Sequence, residues 1–271
     1  MKFTQFAKTT LAATILAATS LTFLTPAMAE VDVDQLIKQA EKAAYYAGED
    51  GRSDARMMIV DSQGRKQLRQ FTILRKDVED NGDQKMMVFF SRPTDVKDTV
   101  FRVEKHADTH VDDDRWLYLP ALDLVKRISA GDKRTSFVGS HFFYEDVSGR
   151  AVSQDDFSLV EENAERYVLK AVPKDPASVE FAYYIVEIDK ATSLPVLINF
   201  YKSDDTNYRR VESVQVDDVQ GFPTVLRSKV SDLSSGGYTL MEFRGSEYNV
   251  GLPDDVFTER SLRNPPVQWI K

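Results

Sequence analysis

The sequence predicts a mainly β fold, a single strongly curved antiparallel sheet of about ten strands, on three observations. Strand-like segments recur at regular spacing from residue 56 to residue 248. Turn formers such as Asp61-Ser62-Gln63-Gly64 and Asn81-Gly82 separate them, rather than helical stretches. The one strong helical periodicity lies ahead of them all, so a sandwich or barrel is expected rather than a parallel α/β sheet.

The chain opens with a leader. Lys2 and Lys8 precede an uncharged apolar run over residues 9–24, and Ala27-Met28-Ala29 has the small-x-small form that signal peptidase accepts. The run is short for a bilayer span of about 20 residues. Residues 1–29 are therefore expected to be a cleaved signal peptide, and residues 30–271 a single exported β-domain. Cysteine is absent from the sequence, which excludes disulfides and a lipid-bearing Cys and leaves stability to an apolar core. Losing Lys2 and Lys8 takes the formal net charge from −8 to −10. That acidic balance argues against nucleic acid as a partner.

Next comes a helix. Asp34 is a candidate N-cap for residues 35–47, and Gly48 a candidate stop. Leu36, Ile37, Ala40, Ala43 and Ala44 fall on one face, with Lys38, Glu41 and Lys42 away from it. Such a stripe must cover something, and the sheet is the only predicted surface. Two strands carry more apolar mass than a half-solvated sheet needs: Met57-Met58-Ile59-Val60 and Met86-Met87-Val88-Phe89-Phe90. Either both faces are packed core, or one face looks into a cavity with adaptable Met walls.

Chemistry is scarce. His106 and His110 are spaced for a metal only on a helix, yet they precede the turn-like Asp112-Asp113-Asp114. No nucleophile elbow or glycine-rich phosphate loop follows a strand. Neither a metal nor a cofactor is expected, and no enzymatic activity is suggested.

The densest stretch is residues 115–150. Trp116 and Tyr118 share one strand face, Pro120 ends the strand, and Lys126, Arg127, Lys133 and Arg134 form a basic cluster. Phe137, Phe142, Phe143 and Tyr144 then run into Glu145-Asp146. This is either a hairpin with solvated charges, or a basic and aromatic rim for a lipid head group or an acidic partner.

The same stretch resembles the block W-x-Y-L-P…R-I…S-F-x-G-[ST]-D-F-[ST]-Y-E-D-[LV] of the outer-membrane lipoprotein-sorting protein-like family, periplasmic proteins related to the lipoprotein carrier LolA. Trp116, Tyr118, Leu119, Pro120, Arg127, Ile128, Ser136, Phe137, Gly139, Ser140, Phe142, Tyr144, Glu145 and Asp146 carry the match. His141 stands where the family has Asp. The closing Leu252-Pro253-Asp254-Asp255-Val256-Phe257 agrees as well.

The resemblance implies a half-open antiparallel β-barrel with the N-terminal amphipathic helix as lid over an apolar cavity. It implies a periplasmic carrier or chaperone for acyl chains of a lipoprotein or lipid. An inner-membrane exporter of the resistance-nodulation-division type and an outer-membrane acceptor would be its partners. The alternative is an envelope interaction scaffold with a filled core and no lipid ligand. Strand parity assigns the cavity walls to Met58, Val60, Phe71, Ile73, Met86, Val88, Phe90, Trp116 and Tyr118, with Leu36 and Ile37 from the lid. Lys126 and Lys133 are expected to face solvent as partner or head-group contacts. Arg127 is expected to pair with Glu145 or Asp146, since the family carries both ends together.

Overall fold

A computed structural model describes residues 31–79, 82–108 and 110–271, together with Met1. Residues 2–30, which hold all of the expected leader but Met1, and Asn81 of the Asn-Gly turn lie outside the described residues.

Among the described residues, thirteen strands form one antiparallel sheet that does not close. They are β1 Asp50–Val60, β2 Lys66–Asp77, β3 Gln84–Arg92, β4 Val100–Lys105, β5 Asp114–Leu119, β6 Leu124–Ile128, β7 Asp155–Glu162, β8 Arg166–Pro173, β9 Tyr183–Asp189, β10 Pro195–Tyr201, β11 Asn207–Val219, β12 Phe222–Asp232 and β13 Tyr238–Tyr248. Their spatial order is β6-β5-β4-β3-β2-β1-β13-β12-β11-β10-β9-β8-β7. Two meanders, β1–β6 and β7–β13, are thus zipped together where β1 pairs with β13, and β6 and β7 become the two free edges. One connection, residues 129–154, links edge to edge. It holds three 3-10 turns and the short helix α2, Tyr144–Ser148.

This connection fills half of the concave face. Phe137, Phe142 and Tyr144 pack with Met57, Phe71, Val88, Phe90, Phe101 and Leu117. The Phe137 ring centroid lies 5.7 Å from Phe90 and 5.5 Å from Phe101 and Tyr144, in tilted and edge-on contacts. Over the other half lies α1, Val33–Tyr45, with Leu36, Ile37 and Ala40 buried among Leu169, Val186, Ile188 and Phe200.

The cap of α1 is Asp32, two residues ahead of the expected Asp34. Its carboxylate accepts from the backbone N–H of Gln35 at 3.0 Å. Asp34 sits in the first turn instead, where the helix dipole favours it. Gly48 takes a left-handed φ of 68° just beyond the helix.

The convex face has its own cover. The C-terminal segment, with α3 Arg260–Arg263 and α4 Val267–Ile270, packs Leu252, Val256, Phe257 and Leu262 against Leu74, Met87, Phe89 and Val100. The Asp50 carboxylate anchors this segment, accepting from the backbone N–H groups of Val250, Gly251 and Leu252 at 2.6, 3.2 and 2.6 Å. The second face of β3 is therefore apolar because the chain's own end covers it.

Candidate functional site

Between α1, the 129–154 connection and the concave sheet lies a cavity of about 420 Å³. Its inner wall is apolar. Ile37, Ala40 and Ala44 descend from α1, Phe142 and Val147 from the connection, and Phe71, Ile73, Met86, Val186, Ile198, Phe200, Val211, Met241 and Phe243 from the strands. Its volume lies in the range of small-molecule sites, and its walls are mostly hydrocarbon.

Of the eleven wall residues expected from sequence, Ile37, Phe71, Ile73 and Met86 line this cavity. Leu36 is buried beside it with the β8–β10 half of the core. Val88 and Phe90 are on the expected face but are sealed into the packed core beside Phe101 and Phe137. Met58 and Val60 belong to the opposite face of β1, because Ala55, Met57 and Ile59 are the residues in the concave core. Trp116 and Tyr118 are likewise turned away: Leu117 packs inward, Arg102 covers Trp116 at 4.4 Å, and Tyr118 packs with the C-terminal segment. The register expected for β1 and β5 was one residue off, which exchanges faces. Sequence reasoning missed the walls from β9 to β13 entirely.

A charged cluster backs the cavity where the connection crosses it. Glu145 is 2% exposed and accepts from Arg134 Nη1 at 2.6 Å and Arg150 Nη1 at 3.3 Å, with Lys133 Nζ 3.4 Å away. Arg134 also donates to Glu180 at 2.6 and 2.8 Å. Arg150 forks onto Asp155 through two 2.8 Å bonds. Burial pushes the Glu145 carboxyl up, yet Arg134, Arg150 and Lys133 reverse this and hold it below the usual carboxylate range. Burial likewise raises Glu180, and Arg134 and Tyr208 bring it down to about 2.

This cluster corrects two expectations. Arg127 does not reach Glu145 or Asp146. It is exposed and pairs across the β5–β6 hairpin with Asp114, while Asp146 pairs with Arg209. Lys133 does not face solvent: a 3-10 turn at Ala130–Asp132 carries it inward, where it is 6% exposed beside Glu145. Lys126 is exposed as expected. His141, in place of the family's Asp, bonds through its backbone N–H and Nδ1 to Thr239 Oγ1 at 3.0 and 2.9 Å. His106 lies 3.3 Å from Asp114 and His110 3.0 Å from Asp108, each a local loop contact.

A family model described as that of an uncharacterized protein matches residues 82–264. The chain is similar to the crystal structure of a DUF1329 family protein from Desulfovibrio piger, with 28% identity and a TM-score of 0.77 over 84% of this chain and 96% of that one. It is similar to an outer membrane lipoprotein-sorting protein domain from Vibrio parahaemolyticus, with 24% identity and a TM-score of 0.76 over 84% and 97%. A LolA superfamily protein from Nitrosomonas europaea shares the fold at 16% identity and a TM-score of 0.65, over 85% and 99%. No curated protein matches.

Proposed function

The chain belongs to the DUF1329 family of LolA-like proteins, and from that premise we propose that it is a periplasmic carrier that shields the acyl chains of a lipoprotein or lipid. The observation that carries this reading is the 420 Å³ apolar cavity beneath α1. Each methylene moved from water into such a wall contributes about 0.8 kcal/mol, so a fatty chain gains more from the cavity than from the periplasm. A scaffold with a filled core would have no such space.

The leader over residues 1–29 fits export, with residues 30–271 acting as one domain. No catalytic residue is needed for this task. Capture at an inner-membrane exporter and delivery to an outer-membrane acceptor complete the proposal, with exposed Lys126 as a contact for partner or head group. Mass spectrometry of the protein purified gently from its host tests it: reproducible co-purified acyl lipid is the expected result, and a consistently empty protein would turn the reading towards the scaffold.

A further inference from the structure

We infer that the cavity selects an uncharged, ester- or hydroxyl-bearing link at its wall, as in a diacylglycerol, and turns away a phosphate there; this rests on the carrier reading above.

The first argument is where the cations are spent. Four guanidiniums border the cavity: Arg52, Arg75, Arg134 and Arg150. Each is already neutralised within the fold. Arg52 bonds Asp54 at 2.9 Å and the Trp269 carbonyl at 2.8 Å. Arg75 bonds Asp77 and the carbonyls of Tyr45, Ala47 and Gly48, closing the C-terminal end of α1. Arg134 and Arg150 are held by Glu145, Glu180 and Asp155 through all three of their nitrogens. A phosphate entering here would lose water without gaining a cation, unless it broke a buried ion pair.

The second argument is what the cavity wall offers instead. The start of β1, the start of β12 and the end of β13 bring hydroxyls together: Ser53, Thr224, Ser246 and Tyr248. Ser53 Oγ donates to Ser246 Oγ at 2.8 Å, which leaves the Ser246 proton for an incoming carbonyl. Thr224 Oγ1 donates to the Phe222 carbonyl at 2.9 Å, so its 2.9 Å contact with Tyr248 is donated by the phenol. Neutral donors and acceptors of this kind suit an ester or hydroxyl. The formal net charge, −8 for the full chain and −10 without Lys2 and Lys8, opposes an anion further.

Purified protein loaded with the neutral apolar dye N-phenyl-1-naphthylamine should be titrated with dioctanoylglycerol and with dioctanoyl phosphatidylglycerol, two soluble lipids with the same chains. The expected result is displacement by the neutral lipid at a concentration at least tenfold lower. A Ser53→Ala/Ser246→Ala double variant should weaken the neutral lipid about fivefold, the effect of one net hydrogen bond. Ser246→Lys, which adds an unpaired cation, should improve the anionic lipid. Equal displacement by both lipids overturns the inference and leaves the carrier reading standing. Failure of the dye and of both lipids to bind removes the carrier reading and the inference with it.

Discussion

Arg134 gives one N–H to the Glu145 carboxylate at 2.6 Å while its guanidinium lies 5.1, 4.8 and 5.3 Å from the ring centroids of Phe143, Phe181 and Phe200. The charge of Glu145 is thus shared among Arg134, Arg150 and Lys133 at a site closed to water. Glu145→Gln keeps the side-chain shape but leaves these cations one carboxylate short. It should cost about 3–5 kcal/mol, read as a lower urea midpoint. Arg127→Gln breaks only an exposed pair with Asp114 and should cost about 0–1 kcal/mol in the same assay.

Acid should unfold the protein through the same cluster. Glu180 is held at about 2 in the fold against an ordinary value of 4.5, and Glu145 is also depressed. Their stabilisation is fully present above 4.5 and is lost as pH falls towards 2. His141 adds an earlier step: burial lowers its pKa below 6.5, so the unfolded chain binds its proton first and stability begins to fall below 6.5. His106 runs the other way: burial lowers it, yet Asp114 and Asp83 hold it above 6.5, so it gains stability as pH falls through the same range. Urea midpoints measured from pH 8 to 2.5 should therefore show both steps in a His106→Asn background. His141→Asn should erase the upper step, and Glu180→Gln should shrink the lower one.

Much of the fold was legible because it depends on local patterns: turn residues between apolar segments, and an amphipathic stripe on residues that became α1. The faces were harder. Over Met57-Met58-Ile59-Val60 every position is apolar, so alternation carries no sign. What separates Met57 from Met58 is the curved concave core itself. In β5 the larger Trp116 and Tyr118 suggested the interior, yet the C-terminal segment and Arg102 gave that face a cover of its own. The family block led to Glu145 and Asp146 but not to their partners. Arg209 lies 63 residues from Asp146, and Glu180 lies 46 residues from the Arg134 that it shares with Glu145, and no periodicity links such distant positions.

Gly237 is a glycine for a steric reason. A Cβ placed there would come within 2.5 Å of His141 Nε2 and 3.2 Å of the Val60 carbonyl. Gly237→Ala should therefore destabilise the protein by about 1–3 kcal/mol, an overpacking cost. Shortening the neighbour in the double variant Gly237→Ala/His141→Ala should recover part of that loss. A double-mutant cycle of urea midpoints measures the coupling between the two sites, expected at about 0.5–3 kcal/mol in favour of the double variant.

Met86 and Phe90 lie on the same face of β3 but have different surroundings. Met86 borders the cavity, whereas Phe90 is 2% exposed and packed against Phe71 and Phe137 at 4.9 and 5.7 Å. A change at Phe90 should act on the fold: Phe90→Ala opens a void in close-packed core and should cost about 3–5 kcal/mol. At Met86 the cavity already supplies space, so Met86→Gln should cost less stability while placing a polar amide in the path of a hydrocarbon chain. Dye binding measured well below each variant's melting point separates the two effects. Met86→Gln should lower dye affinity at least fivefold with a urea midpoint lowered less than that of Phe90→Ala, and Phe90→Ala should lower the midpoint while the remaining folded protein binds dye normally. If Met86→Gln binds the dye as tightly as the parent, Met86 is not a wall of the site.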